Sequence, residues 1–292
     1  MWFSGHVISP SMKHQASPSS EPNVLSISIV VYRPDIQQLN STLAGLSAAC
    51  HAVYSKRPGQ VIALSLIDNG GLSERLACLD ELRASGVVCT VITGHGNVGY
   101  GRGHNLAIQR SKSRYHLILN PDIDLAPDSL QQALDFLEAQ PEVGLLTPWI
   151  GDESGCQQFL CRRYPTLLDL FLRGFMPTAL QRLFSRRLAR YEMHDQINDR
   201  EVAWDPPIVS GCFMLFRTSV LKQLAGFDSR YFLYFEDYDL SLRTHAVARV
   251  AYVPNVRVLH HGGGASRKGS SHIQMFVSSA YKFFNRFGWK WL

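Results

Sequence analysis

The sequence predicts an α/β fold: a mostly parallel, twisted central sheet with helices on both faces. Three observations carry this. Strand-length β-branched runs alternate with amphipathic stretches through the first half of the chain. Polar and glycine-rich turns follow the strands. With 46% hydrophobic and 18% charged residues over 292 positions, the chain can bury a core without disulfide or metal staples.

Val24–Tyr32 is a β-branched run and reads as a buried strand. Asp35 caps a helix whose apolar residues Ile36, Leu39, Leu43, Leu46, Cys50 and Val53 recur three and four apart. Val61–Ile67 is a second strand, ending at Asp68-Asn69-Gly70-Gly71, and Ser73 caps a helix carrying Leu76, Leu79 and Leu82. Val87–Thr93 is a third strand, after which the turn GHGNVGYGRGHN opens a helix near His104–Ser111. Tyr115–Leu119 is a fourth strand, ending at Asn120-Pro121-Asp122-Ile123-Asp124. Pro127 suits the first turn of a helix with Leu130, Ala133, Leu134 and Leu137 on one face. In such folds ligands bind beyond the carboxyl ends of the strands. Here those ends carry Tyr32, Asp68, the glycine-rich turn and the Asn120–Asp124 acids.

Past Pro148 the pattern weakens. Helices are expected around Leu167–Phe175 and Ala179–Tyr191, a strand over Ile208–Phe216 and a short helix over Ser219–Ala225. Two more strands are expected near Val247–Val253 and Val256–His260. Residues 1–23, rich in Ser and Pro, read as a flexible tail. Residues 24–265 form one unit, divided into 24–149, 150–204 and 205–265, and 266–292 is a basic aromatic end.

No apolar stretch reaches the ~20 residues of a membrane helix, and the start lacks the pattern of a secretory signal. The six cysteines are scattered without a CxxC pair, so a zinc site or disulfide framework is not expected, and reduced thiols in the cytoplasm are. Between Cys161 and Arg190 lie seven arginines against one acid, Asp169, which exceeds the whole chain's net +5. That segment points to an anionic partner. With the aromatic C-terminus it reads either as a solvated face or as a peripheral dock on an anionic membrane. No helix-turn-helix, RNA-recognition or OB signature supports nucleic acid.

Four motifs carry candidate chemistry, and each has a plain alternative. The glycines of residues 96–103 allow backbone to approach a phosphate, or simply make a tight turn. Asp122 and Asp124, two apart at a strand end, can hold a divalent cation, or form a turn and helix cap. Glu236-Asp237-Tyr238-Asp239 follows an apolar aromatic run: a carboxylate there can act as general base, or merely complement a helix dipole. His260-His261 can complete a metal shell, or be structural.

Taken in order, Tyr32-x-Pro-Asp, IDNG, GNVGYGRGHN, LNPD, VSGCFMLFR, FLYFEDYDLSLR and VLHHGGG resemble the family 2 glycosyltransferases over about residues 24–265. The bacterial rhamnosyltransferases of surface polysaccharide are the nearest subgroup. The resemblance implies a GT-A fold and an inverting displacement on a nucleotide sugar, dTDP-L-rhamnose, with Mg²⁺ or Mn²⁺ as cofactor. It implies an acceptor on lipopolysaccharide core or a lipid-linked glycan, at the cytoplasmic face of the inner membrane. UDP- or GDP-hexose donors, or a non-catalytic nucleotide- or glycan-binding module, are the alternatives. Residue by residue, Tyr32 and Asp68 would contact the base, and Asn97, Gly99 and Asn105 would shape the nucleotide loop. Arg102 would reach a phosphate, Asn120 would lie at the nucleotide sugar, and Ser210-Gly211 would line the sugar pocket. Asp122, with Asp124 second, and His260, with His261 second, would bind metal. Asp237 would be the base, with Glu236 orienting the acceptor or sharing the role. Asn120 stands where the family's DxD has its first acid, and Val31-Tyr32-Arg33 replaces T-Y-N.

Overall fold

The computed structural model describes residues 23–72, 76–262 and 269–292. The expected tail (Asn23 apart), the Ser73 cap and residues 263–268 of the Gly/Ser/basic stretch lie outside the described residues.

In chain order the first elements are β1 (Leu25–Val31), α1 (Ile36–Lys56), β2 (Ile62–Asp68), α2 (Ala77–Ala84), β3 (Val88–Ile92), α3 (Tyr100–Arg110) and β4 (Tyr115–Leu119). Asp35 caps α1 by accepting the Gln38 N–H at 3.1 Å, and the spaced apolar residues Leu39, Leu43, Leu46, Cys50 and Val53 are its buried stripe. The chain continues with β5 (Ile123–Leu125), α4 (Ser129–Ala139), β6 (Val143–Gly151), α5 (Leu167–Phe175), α6 (Thr178–Gln181) and, after a 3₁₀ turn at Arg182–Phe184, α7 (Ser185–Tyr191). Then follow β7 (Ala203–Trp204), β8 (Phe213–Arg217), α8 (Thr218–Gln223), α9 (Glu236–Thr244), β9 (Arg249–His260) and α10 (Ser270–Phe287).

The strands make one sheet, ordered β3-β2-β1-β4-β8-β6-β9-β5, with β7 against β9. The β3-β2-β1-β4 run is parallel. Beyond it β8 runs antiparallel to both β4 and β6, β6 is parallel to β9, and β5 and β7 are antiparallel to β9. One apolar core lies under α1, α2 and α4; a second, around Ile118, Met214, Phe216 and Leu240, fills the other side. A third joins Leu170, Tyr231, Phe235, Phe283 and Phe284 beneath α10.

Several elements differ from expectation for identifiable reasons. The anticipated strands 247–253 and 256–260 are one strand, β9. The register against β6 slips between Pro148 and Trp149, so the bulge absorbs Pro254. The strand expected over 208–216 is confined to β8, because Ser210–Cys212 turns instead, aiming Gly211 at α9. The expected helix 179–191 breaks into α6, the 3₁₀ turn and α7. Helix α3 begins at Tyr100, not His104, with Gly99 as its cap at φ 89°.

Candidate active site

The parallel strands deliver residues to one edge. At the ends of β1 and β2, Tyr32 is 50% exposed with its ring beside Gly70, and Asp68 is buried, accepting the Gly70 N–H at 2.8 Å. The guanidinium of Arg33 lies 5.3 Å from the Tyr32 ring centre. Beyond β3, Asn97 accepts the Gly99 N–H at 3.1 Å and lies 3.3 Å from the Asn69 amide. Tyr32, Asp68 and Asn97 therefore share the carboxyl edge of neighbouring strands.

The glycines of residues 96–103 serve packing. A Cβ on Gly99 would sit 2.3 Å from the Phe232 carbonyl oxygen, one on Gly101 2.8 Å from Phe227, and one on Gly103 2.9 Å from Val30. The Tyr100 N–H, at the start of α3, is already donated to the Phe232 carbonyl at 3.0 Å. The turn thus clamps the segment leading into α9 against α3. Asn105 and Arg102 belong to the same clamp. Asn105 binds the Phe227 N–H and carbonyl at 2.9 and 2.8 Å, and Arg102 donates to the Ser229 carbonyl at 2.6 Å. Asn105, expected at the nucleotide, has both amide atoms committed to this loop, whereas Arg102 is tied to it through Nε alone.

Beyond β4, pairing of Ile123 with His260 across β5 and β9 places Asp122 beside His260. Asp122 Oδ2 is 3.6 Å from His260 Nε2, too long for a hydrogen bond, and its Oδ1 is buried without a partner. Both atoms face Gly262, where a Cβ would lie 2.2 Å from the carboxylate and 2.7 Å from the imidazole. Burial lowers the His260 pKa, against the pull of Asp122. His260 Nδ1 is held 3.0 Å from Gln158 Oε1, leaving Nε2 toward Asp122. An imidazole oriented by a side-chain amide, beside a carboxylate whose other oxygen has no partner, is a fitting pair of ligands for a divalent cation. Among the described residues no group of three or more His, Cys, Asp or Glu is arranged to hold a metal. A cation would therefore depend on substrate phosphate and water for its remaining ligands, as Mg²⁺ commonly does. Asp124 and His261 are not part of this pair. Asp124 accepts from Ser41 at 2.9 Å and meets His261 at 2.8 Å, and Glu153 lies on the other imidazole nitrogen at 2.9 Å. Those two carboxylates, Glu153 foremost, raise the His261 pKa.

The Asn120 side and the Glu236-Asp237 side meet at Tyr100. Its hydroxyl donates to the Gly211 carbonyl at 2.7 Å and lies 3.0 Å from the Asn120 side-chain oxygen. The Gly211 N–H in turn donates to Asp237 Oδ2 at 3.0 Å, and the Tyr238 N–H reaches Oδ1 at 2.9 Å. Ser210 closes this turn, accepting the Cys212 N–H at 3.3 Å. Tyr100 is the residue that the sequence reading missed. Its signal was only its place inside the glycine-rich turn.

Glu236 and Asp237 open α9 after two consecutive left-handed residues, Tyr234 (φ 71°) and Phe235 (φ 64°). A non-glycine pair in that region is strained and is held by the aromatic packing under α10. Glu236 is 5% exposed, and its Oε2 is buried without a partner. Burial first, then the neighbouring Asp237 charge, push its pKa up to about 8. Burial raises Asp237 too, but its two backbone N–H donors and Arg162 favour the charged form. Both carboxyls are thus raised by burial, Glu236 further by its acidic neighbour, while at Asp237 the Gly211 and Tyr238 N–H groups offset the push. Both line a cavity of about 400 Å³ between α5, α9 and α10. The third acid of the run, Asp239, is wholly buried and bound to Arg243 and Arg286, a structural role.

The model of glycosyl transferase family 2 matches residues 26–225. The chain is 30% identical over 277 residues, 89% of its length and 84% of the relative's, to the N-acetylglucosaminyl-diphospho-decaprenol L-rhamnosyltransferase of Mycobacterium tuberculosis (strain H37Rv). It is 28% identical over 201 residues, 65% of its length and 72% of the relative's, to rhamnosyltransferase WbbL of Escherichia coli (strain K12). Among solved structures, the mannosyltransferase PcManGT of Pyrobaculum calidifontis, in complex with GDP-Man and Mn²⁺, aligns with a TM-score of 0.55 at 14% identity. That alignment covers 92% of this chain and 67% of that one, and it shows the shared GT-A fold. With a family model across more than half its length and a 30% identical relative matched over most of both chains, the protein belongs to glycosyl transferase family 2 and is a glycosyltransferase.

Proposed function

We propose that the protein is an inverting, metal-dependent rhamnosyltransferase. It moves L-rhamnose from dTDP-L-rhamnose to a hydroxyl of a lipopolysaccharide-core or lipid-linked surface glycan, at the cytoplasmic face of the inner membrane. The observation that carries the chemistry is the pair of neighbouring acids lining one cavity, Asp237 held by the Gly211 and Tyr238 N–H groups and Glu236 with a buried oxygen that has no partner. The donor is supported by two relatives that are both rhamnosyltransferases.

Asp237 takes the proton of the acceptor hydroxyl as that oxygen attacks the anomeric carbon. The carbon–oxygen bond to the nucleoside diphosphate breaks on the opposite side, and configuration inverts in one displacement. Glu236, retaining its proton, donates a hydrogen bond to the acceptor. Tyr32 offers an exposed ring on which a base can stack, with Asp68 and Asn97 beside it. Asp122 and His260 would hold a divalent cation, Mg²⁺ or Mn²⁺, which when bound would supply positive charge near the departing diphosphate. Tyr100 keeps the Asn120 and Asp237 sides of the cleft in fixed relation.

Among the described residues no helix is long and apolar enough to cross a membrane. Docking on anionic lipid is supported by exposed Phe171, Leu180, Leu183 and Trp291. Arg182, Arg186 and Arg190, exposed beside them, form no ion pair among the described residues.

Incubation of the purified protein with labelled dTDP-rhamnose and Mg²⁺ or Mn²⁺ tests the donor. Binding and slow hydrolysis are expected without acceptor, and transfer with it. Turnover of a UDP- or GDP-hexose with none of dTDP-rhamnose would overturn the assignment.

A further inference from the structure

We infer that His104 is a positioning residue for Asp237: a one-way chain of buried hydrogen bonds turns its Nε2–H edge toward aromatic neighbours that include Tyr100, and Tyr100 passes the constraint to the Gly211 turn. This rests on the transferase reading and deepens it, by naming what sets the geometry around the base.

The chain crosses β1, β4 and α3. Ser26 of β1 pairs across the sheet with His116 of β4, and its hydroxyl lies 2.6 Å from His116 Nδ1. The same hydroxyl meets those of Ser111 and Ser113 at 2.8 and 2.7 Å. Ser28, on the same face of β1, lies 2.9 Å from His116 Nε2 and 2.7 Å from His104 Nδ1. Both imidazoles are fully buried. Burial foremost lowers the His104 pKa and takes that of His116 to about 3, so both rings are neutral.

A neutral imidazole has one N–H and one acceptor nitrogen, and a serine hydroxyl has one proton. The Leu117 carbonyl, 3.5 Å from the Ser28 hydroxyl, is too far to compete for it. Ser28 therefore donates to one histidine and accepts from the other, which locks the two tautomers together. If the chain runs from Ser26 to His104, Nε2 carries the proton on both rings. If it runs the other way, His104 Nε2 is a bare lone pair. That atom is buried without a hydrogen-bond partner. The rings packed on His104 are Tyr100, 4.5 Å away between centroids at 67°, and Phe227 at 5.8 Å. Aromatic faces are negative, so they attract an N–H edge and repel a lone pair. The packing selects the first direction.

Tyr100 stands four residues before His104 on one face of α3. Its hydroxyl is bound to the Gly211 carbonyl, and the Gly211 N–H holds Asp237 Oδ2. Catalytic groups tolerate displacements of only about 0.5 Å, so a Tyr100 ring braced by His104 serves the placement of Asp237. His104 itself acts only through Tyr100.

Nitrogen-15 NMR of the ligand-free, full-length protein with labelled histidine rings reads the tautomers directly, the signal lost in His104→Gln being that of His104. Both buried rings are expected in the Nε2–H form. An Nδ1–H form at His104 would overturn the inference. His104→Phe keeps a ring and loses the N–H, whereas His104→Gln keeps an N–H donor. The Gly211 amide proton, which reports the bond to Asp237, is expected to move in the first variant and stay in the second. With dTDP-rhamnose and water as acceptor, His104→Phe should lower kcat about tenfold with KM within about twofold, and His104→Gln should stay within about threefold of native. A Gly211 signal or a kcat indifferent to His104→Phe would overturn the inference, as would equal losses in both variants, the mark of a purely structural residue. Binding of dTDP reports that each variant keeps its fold; should His104→Phe fail that control, the native spectrum decides. The spectra need no donor, so failure of dTDP-rhamnose turnover would refute the donor assignment and leave His104 to be judged by them.

Discussion

Glu236→Gln isolates the division of labour between the two neighbouring acids. A carboxyl with a pKa of about 8 is about nine-tenths protonated at pH 7 and about one-tenth at pH 9. If its proton serves the acceptor, kcat/KM of the native enzyme falls about tenfold over those two units, and tenfold per unit beyond. Glutamine keeps an N–H donor of similar shape and does not titrate. The variant should therefore work within a few-fold of the native enzyme at pH 7 and overtake it at pH 9. Stability gives an independent reading. The folded-state pKa of Glu236 lies above its unfolded value, so its contribution is fully present below about pH 4.3 and is lost as pH rises toward 8. The Tm of Glu236→Gln should accordingly gain on that of the native protein between pH 5 and 8. Rate profiles in buffers of constant ionic strength and thermal melts measure both. An alkaline limb that survives in the variant, or a Tm difference flat with pH, would refute the reasoning.

Other substitutions probe the supports. Gly99→Ala puts a Cβ 2.3 Å from the Phe232 carbonyl at a φ of 89°, and should lower stability by about 2 kcal/mol or more in denaturant titration. Tyr100→Phe removes the hydroxyl between Asn120 and Gly211; kcat should fall about tenfold, with dTDP affinity changed far less. An unchanged kcat would remove Tyr100 from the account. Gln158→Ala frees His260 Nδ1 and should raise the half-saturating Mn²⁺ concentration about 10–100-fold, read from activity against metal concentration.

The sequence revealed elements whose signals are local. Helix α1 announces itself by its cap and apolar spacing, β1 by its β-branched run, and β2 and β4 by short apolar runs that end at polar turns. Strand β6 leaves no such signal. All nine of its residues are buried, so no alternation marks it, and Pro148 reads as a break. Strand β9 reads as two because the proline within it is accommodated by a slip in its pairing with β6. The acids at 122, 236 and 237 stood out by composition and place. The roles of Asn105 and Arg102 did not, because their partners, Phe227 and Ser229, lie more than a hundred residues away. Separations of 76 and 88 residues likewise hid a polar network within the core. There Ser28 joins His104 and His116 at 2.7 and 2.9 Å, and burial drives the His116 pKa down to about 3. Neither histidine differs in sequence from one on the surface.

The claim beneath all of this is that one carboxylate, at 237, receives the acceptor's proton while the nucleotide is held by other residues. Single-turnover transfer by Asp237→Asn, with dTDP affinity measured on the same preparation, tests it most directly. The expected result is a transfer rate reduced about 10²–10⁴-fold with nucleotide affinity within a few-fold of native. Transfer at close to the native rate would contradict it.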